Sequence, residues 1–389
     1  MRGFGTMIDH WAIDNLFDWM VDGARPSASA KEIVDTLCIT LVAAGVPIDR
    51  FALFIYTLDP NIVGRRFTWT PSQGVTVSEG KMGLFSTEEY TANPLPTVVA
   101  KRVSIRRRLV DPDSPRDYKI VGELIADGFT DYLAQPLIYT TGETNAASWS
   151  TKASAGFSDE EADVLQRVNK PLARLTETYM LRINAATILS AYVGRNSGDR
   201  ILGGKIHRGD GEEIEAAILF TDLVNFTALS NTLDGPDIVA MLNDVFDLMV
   251  PPVANHGGEI LKFLGDGFFA IFPYEGHAAF SRSVLATSTA VAEAEAALAN
   301  SSLGATMSFR SAIHAGPFHY GNIGGSNRLD FTAIGRPVNY TARLLQAASA
   351  LACPRVLSAL AAGCLGDAAR PVAEMEFKGF EGKQSVFTY

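Results

Sequence analysis

Between Glu213 and Ala315 the chain alternates apolar runs of strand length with stretches of helical period, in an order few folds accommodate. Ile214-Glu-Ala-Ala-Ile-Leu-Phe220 reads as a buried strand. A helix follows from about Asp234 through Val253, with Ile238, Met241, Leu242, Val245, Phe246 and Met249 on its inner face. Glu259–Leu264 and Phe268–Phe272 read as two strands around Gly265-Asp-Gly267, followed by a helix from His277 to about Asn300 and a strand from Met307 to Ala315. This is the βαββαβ order of a ferredoxin-like fold, within a chain of mixed α/β (α+β) class.

Two aspartates sit at the ends of these apolar runs. Asp222 lies just past the first strand in Phe220-Thr-Asp-Leu-Val-Asn-Phe-Thr227, and Asp266 sits at the tip of the hairpin. Carboxylates at strand mouths are well placed to hold a hard cation against a polyphosphate. Plainer roles fit equally at this point: Asp222 as a turn or helix cap, Asp266 as half of a Gly-Asp-Gly turn.

Composition narrows the classes. At 389 residues the chain is long for one domain and predicts two or three. A hydrophobic fraction of 47% supplies cores, and 20% charged residues argue against global disorder. The formal charge of −10 argues against nucleic acid as a main partner. Cys38, Cys353 and Cys364 lack paired spacing and give no zinc pattern. His314 and His319 share a segment but have no companion ligands, so both read as structural. No run approaches the ~18 apolar residues of a membrane span, and the first ten residues lack the pattern of a signal peptide. A soluble, cytoplasmic chain is expected.

The N-terminal part opens on an amphipathic helix with Trp11, Ile13, Leu16, Phe17 and Met20, then a second helix over roughly Ala30–Ala44. Phe51–Thr57 and Arg66–Thr70 read as strands. Leu133–Tyr139 and Ala147–Ala153 read as a hairpin, and Ser158 as the cap of a helix that follows. This order, with Gly156-Phe-Ser-Asp-Glu160, resembles a GAF domain, a family of small sensor modules. The resemblance implies a regulatory domain over residues 1–180, with an unknown small-molecule ligand. The basic cluster of Lys101, Arg102 and Arg106–Arg108 reads as a solvated surface run. Leu165, Val168, Leu172, Leu175 and Tyr179, continued by Leu189 and Val193, give a short coiled-coil pattern interrupted at Pro171 and Arg182. Arg195–Asp199 and Gly203-Gly204 mark a linker, so residues 181–212 are expected to be a helical signalling segment.

From residue 213 to 389 the chain resembles the class III adenylate and guanylate cyclases. Four segments carry the match: Phe220–Thr227, Lys262-Phe-Leu-Gly-Asp-Gly267, His314-Ala-Gly316 with Gly321-Asn-Ile-Gly324, and Phe331-Thr-Ala-Ile-Gly-Arg-Pro-Val-Asn-Tyr-Thr-Ala-Arg343. The resemblance implies metal binding by Asp222, Asp266 and the main-chain carbonyl of Leu223, with two Mg²⁺ ions for which Mn²⁺ can substitute. It implies that Lys262 and Thr332 read adenine, and that Asn339 and Arg343 hold the ribose and stabilise the pentavalent phosphate.

Chemistry agrees with each role. A lysine donates to the unprotonated N1 of adenine, whereas guanine presents N1–H at that edge. Many relatives carry Asp where Thr332 stands; a hydroxyl still accepts from the adenine amino group. Asn339 and Arg343 are four apart in a helical stretch and project from one face. In this family the two groups of residues come from different domains, which implies a homodimer acting on ATP. Guanylate cyclase and a catalytically silent nucleotide-binding or dimerisation module are the alternatives.

Overall fold

A computed structural model describes residues 7–26 and 29–389. The first six residues, part of the stretch read as free of a signal peptide, lie outside it. The chain divides into two compact units, 1–188 and 189–389.

In the first unit α1 (His10–Val21) and α2 (Ala30–Ala43) precede β1 (Arg50–Tyr56), β2 (Ile62–Thr70) and β3 (Gly74–Lys81). Short helices α3 (Glu88–Thr91) and α4 (Leu95–Lys101) lead to β4 (Ile105–Arg108), α5 (Lys119–Ala126), β5 (Asp131–Ile138), β6 (Thr144–Thr151) and the long α6 (Asp159–Val193). The strands form one antiparallel sheet in the order β3-β2-β1-β6-β5-β4. One face, with Phe51, Leu53 and Trp149, packs on α1, α2 and α6, and Phe51 lies 4.1 Å from Trp149 between ring centroids. The opposite face meets α4 and α5 through Tyr132, Ala134 and Ala146.

The segment before α6 is fixed by a buried charge. Asp131 is fully buried and accepts from Arg106 Nη2 (2.7 Å), the Phe157 amide (3.1 Å) and its neighbour's amide at Tyr132 (2.9 Å). Gly156 turns there with φ +74°, and a Cβ at that position would stand 2.8 Å from the Asp131 carboxylate. Ser158 and Glu161 then close a capping box on α6. Asp131→Ala is expected to destabilise this unit by about 3 kcal/mol, because it strands Arg106 and the Phe157 amide. The midpoint of urea unfolding measures the change.

Two expectations are corrected in part. Lys101, Arg102 and Arg108 are exposed, as a solvated run would have them, but Arg106 holds Asp131 and Arg107 pairs with Asp117 (2.6 Å) and lies over Tyr118. The first half of the apolar stripe on α6 is not a free coiled-coil seam. Val164, Leu165, Val168, Leu172 and Leu175 are buried against the unit's own sheet. Packing on a sheet and packing on a partner helix ask for the same 3–4 spacing. Pro171 lies within this helix, which runs from Asp159 to Val193.

The first helix to lie wholly within the second unit is α7 (Arg195–Leu202), in the segment read as a helical linker. It is anchored by tertiary contacts: Ser197 Oγ bonds Tyr320 OH, the Asn196 amide donates to Glu259 (3.0 Å), and Ile201 joins the core. Next come β7 (Gly211–Leu223), α8 (Phe226–Ser230), α9 (Gly235–Asn255), β8 (Glu259–Leu264), β9 (Gly267–Pro273), α10 (His277–Ala299) and β10 (Phe309–Gly324). The unit ends with β11 (Leu329–Ile334), α11 (Arg336–Ala350), β12 (Arg355–Ser358), α12 (Ala359–Leu365), β13 (Arg370–Glu376) and β14 (Lys383–Thr388). The sheet order is β13-β14-β12-β10-β7-β9-β8, with β11 paired to β10. Its stretch β10-β7-β9-β8 is antiparallel throughout, the arrangement that the βαββαβ pattern demands.

β7 is central, and Ala216 to Phe220 are buried on both faces. Ala217 and Leu219 face α9 and α10; Ala216, Ile218 and Phe220 face β11 and α11. His314 is structural as expected: burial pushes its pKa down to about 4, and its Nδ1 lies 2.8 Å from Ser358 Oγ.

Candidate active site

The two aspartates meet because a glycine lets two strands cross closely. β7 runs through Leu223, so Asp222 lies inside the strand's end rather than just past it. At the start of β9, a Cβ on Gly267 would fall 1.8 Å from the Thr221 carbonyl oxygen and 3.0 Å from Asp222 Cα, so no other residue fits. Thr221 Oγ1 locks the crossing by accepting from the Phe268 amide at 3.0 Å. Gly265, with φ +69°, turns the hairpin whose tip is Asp266. Phe220 and Phe269 stack beneath at 4.7 Å.

The electrostatics are those of two carboxylates facing each other. The Asp222 carboxyl is held above the usual carboxylate range by desolvation first and by Asp266 opposite it second. Arg310, 4.0 Å away on β10, pulls the other way. Two apposed carboxylates with one distant guanidinium are relieved by a divalent cation. Leu223 buries its hydrocarbon side chain, and only its main-chain carbonyl has an oxygen to offer a cation. Among the described residues no group of three or more His, Cys, Asp or Glu converges, so a hard cation at this pair would need carbonyl, water or substrate oxygens as its other ligands.

A second cluster lies on β8 and β11. Phe331 and Ala333 are buried against Phe220, Phe269 and Ile271, which turns the alternate residues Asp330 and Thr332 away from the sheet. Lys262 Nζ reaches Asp330 Oδ2 at 2.5 Å, two residues from Thr332. Asp330 is the residue that sequence reasoning missed.

Asn339 and Arg343 stand apart from both clusters. α11 buries Tyr340, Thr341, Leu344, Ala347 and Ala348. Asn339 is exposed, and Arg343 is half-buried and donates to Gln346 Oε1 at 2.9 Å. Among the described residues no hydrogen bond or ion pair joins either of them to Asp222, Asp266, Lys262 or Thr332.

Residues 211–389 match the family model described as "Adenylate and Guanylate cyclase catalytic domain". The C-terminal unit thus carries a catalytic domain of the adenylate/guanylate cyclase type. Among curated relatives, adenylate cyclase 1 of Rhizobium meliloti is 34% identical over 137 residues, covering 33% of this chain and 20% of its own. An uncharacterised protein of Mycobacterium tuberculosis is 32% identical over 142 residues, covering 36% and 24%. The chain spans about a quarter or less of the length of these curated relatives. Similar solved structures include the adenylyl cyclase CyaB from P. aeruginosa (TM-score 0.40, 23% identity, 46% of this chain and 94% of that one). The guanylyl cyclase Cya2 is also similar (TM-score 0.39, 24% identity, 46% and 92%). No described helix is long and apolar enough to cross a membrane.

Proposed function

We propose that the chain is an adenylate cyclase that converts ATP to 3′,5′-cyclic AMP and pyrophosphate. The apposition of Asp222 and Asp266 inside a cyclase-type domain carries this reading. These carboxylates and the Leu223 carbonyl would hold two Mg²⁺ ions, which when bound acidify the ribose 3′-hydroxyl and neutralise the triphosphate.

The protein's own residues then bind and orient. Lys262 donates to adenine N1 and Thr332 accepts from the exocyclic amino group. Asp330 holds the lysine ammonium beside Thr332 in the absence of the base. Asn339 orients the ribose, and the Arg343 guanidinium takes up charge on the α-phosphate and leaving pyrophosphate. Both sit on a face of α11 turned from its own core, which favours their serving the site of a second chain. The last turns of α6 support a homodimer too, since Leu181, Ile188 and Tyr192 are exposed there. In this reading residues 1–180 are a GAF-like regulatory domain that shifts the balance between arrangements of two catalytic domains (213–389) through the segment 181–212.

Competition between equimolar ATP and GTP tests the substrate. Preferential consumption of ATP is expected; preference for GTP would contradict it. Asp330→Asn is expected to raise KM for ATP about two- to fivefold and leave kcat nearly unchanged, the scale of an exposed ion pair. Steady-state kinetics with both nucleotides measure this.

A further inference from the structure

The first unit holds a cavity of about 700 Å³ on the sheet face that carries Arg50, Phe54 and Tyr56. Gly64 and Ser148 lie on its walls; a Cβ at Gly64 would stand 2.6 Å from the Ile55 carbonyl oxygen, so β1 and β2 can approach there only with glycine. Aromatic groups flank the space. Tyr56 OH and Tyr90 OH bond at 2.9 Å, and Phe85 meets both rings edge-on, at 5.4 and 5.1 Å.

Arg50 lies on the sheet floor of the cavity. Among the described residues its side chain has no hydrogen bond and no ion pair, although it is only partly exposed and burial lowers its pKa. Its electrostatic neighbours are Tyr132, Glu123 and Asp127, which favour its charge, and Arg66, which opposes it. Arg65, also on the wall, is already paired with Glu79. A desolvated guanidinium without a partner costs stability unless a ligand completes it. Arg66, Lys81 and Lys119 also line the cavity, opposed by Glu79, Glu89 and Glu123, so the wall carries a modest positive excess that favours an anion of low charge.

We infer that this cavity binds a small organic monoanion with a flat apolar body, an aryl carboxylate by chemical class. Its carboxylate sits on the Arg50 fork and its ring against Phe54, Tyr56 and Tyr90. The inference deepens the regulatory-domain reading, and it is tested by binding alone, so failure of catalysis leaves it untouched.

The experiment is calorimetric titration of the full chain with benzoate, 2-naphthoate and indole-3-acetate, each beside its neutral primary amide. At least one carboxylate is expected to bind saturably, about tenfold or more tighter than its amide. Arg50→Gln should erase that preference while the ligand-free chain melts at or above the wild-type temperature. Ser148→Leu, which fills the cavity, should abolish binding of acid and amide alike. Equal affinity for acid and amide, a preference that survives Arg50→Gln, binding unchanged in Ser148→Leu, or no binding by any of the acids would each overturn the inference.

Discussion

Arg343→Ala should lower kcat for cyclic AMP formation by roughly 10²–10³-fold with little change in KM, the signature of a donor that acts in the transition state. The structure makes this a clean substitution. Arg343 lies on the outward side of α11, its side chain donates to Gln346, and the helix is held by Tyr340, Leu344 and Ala348 on the other side. Loss of the guanidinium should therefore leave the thermal midpoint nearly unchanged, as is usual for surface changes. Arg343→Lys keeps the charge but loses the planar fork, and should recover only part of the rate. A kcat within about threefold of wild type for the alanine variant would remove Arg343 from the reaction.

Asp222→Ala should be at least as damaging, and mixing it with Arg343→Ala should restore activity. If each site takes its aspartates from one chain and its arginine from the other, a mixed dimer has one intact site and one doubly impaired site. Random exchange makes about half of the dimers mixed, so activity should return to about a quarter of wild type. The physical basis is that, among the described residues, no hydrogen bond or ion pair joins Arg343 to the aspartate pair of its own chain. Absence of rescue under conditions where subunits exchange would place the whole site within one chain. The exchange itself is checked by co-purification through tags on the two variants.

Much of the catalytic unit was legible because its signals are local. Strand, helix and hairpin periods ran in an order that fixes the antiparallel arrangement around β7, and Gly265-Asp-Gly267 announced the turn at Asp266. What the sequence concealed depends on distant contacts. Asp330 looks like any polar strand residue until β11 folds over the sheet and brings it to Lys262, 68 residues away. Residues 195–199 combine Asn, Ser and Gly, which favour turns, and the helix they form is supported by partners that Ser197 and Ile201 find on the sheet. The stripe from Leu165 to Leu175 satisfied a coiled coil and a sheet-packed helix equally, and the structure places it on its own sheet. Arg50 carried no sequence signal, since its isolation is a property of the cavity around it.

The most direct measurement of the central claim is product identity. The full chain is incubated with ATP and Mg²⁺ or Mn²⁺, and the products are resolved by chromatography and phosphorus NMR. The account predicts 3′,5′-cyclic AMP and pyrophosphate in equal amounts, with formation lost in Asp266→Ala. ADP with inorganic phosphate, or no turnover with either metal, would contradict it.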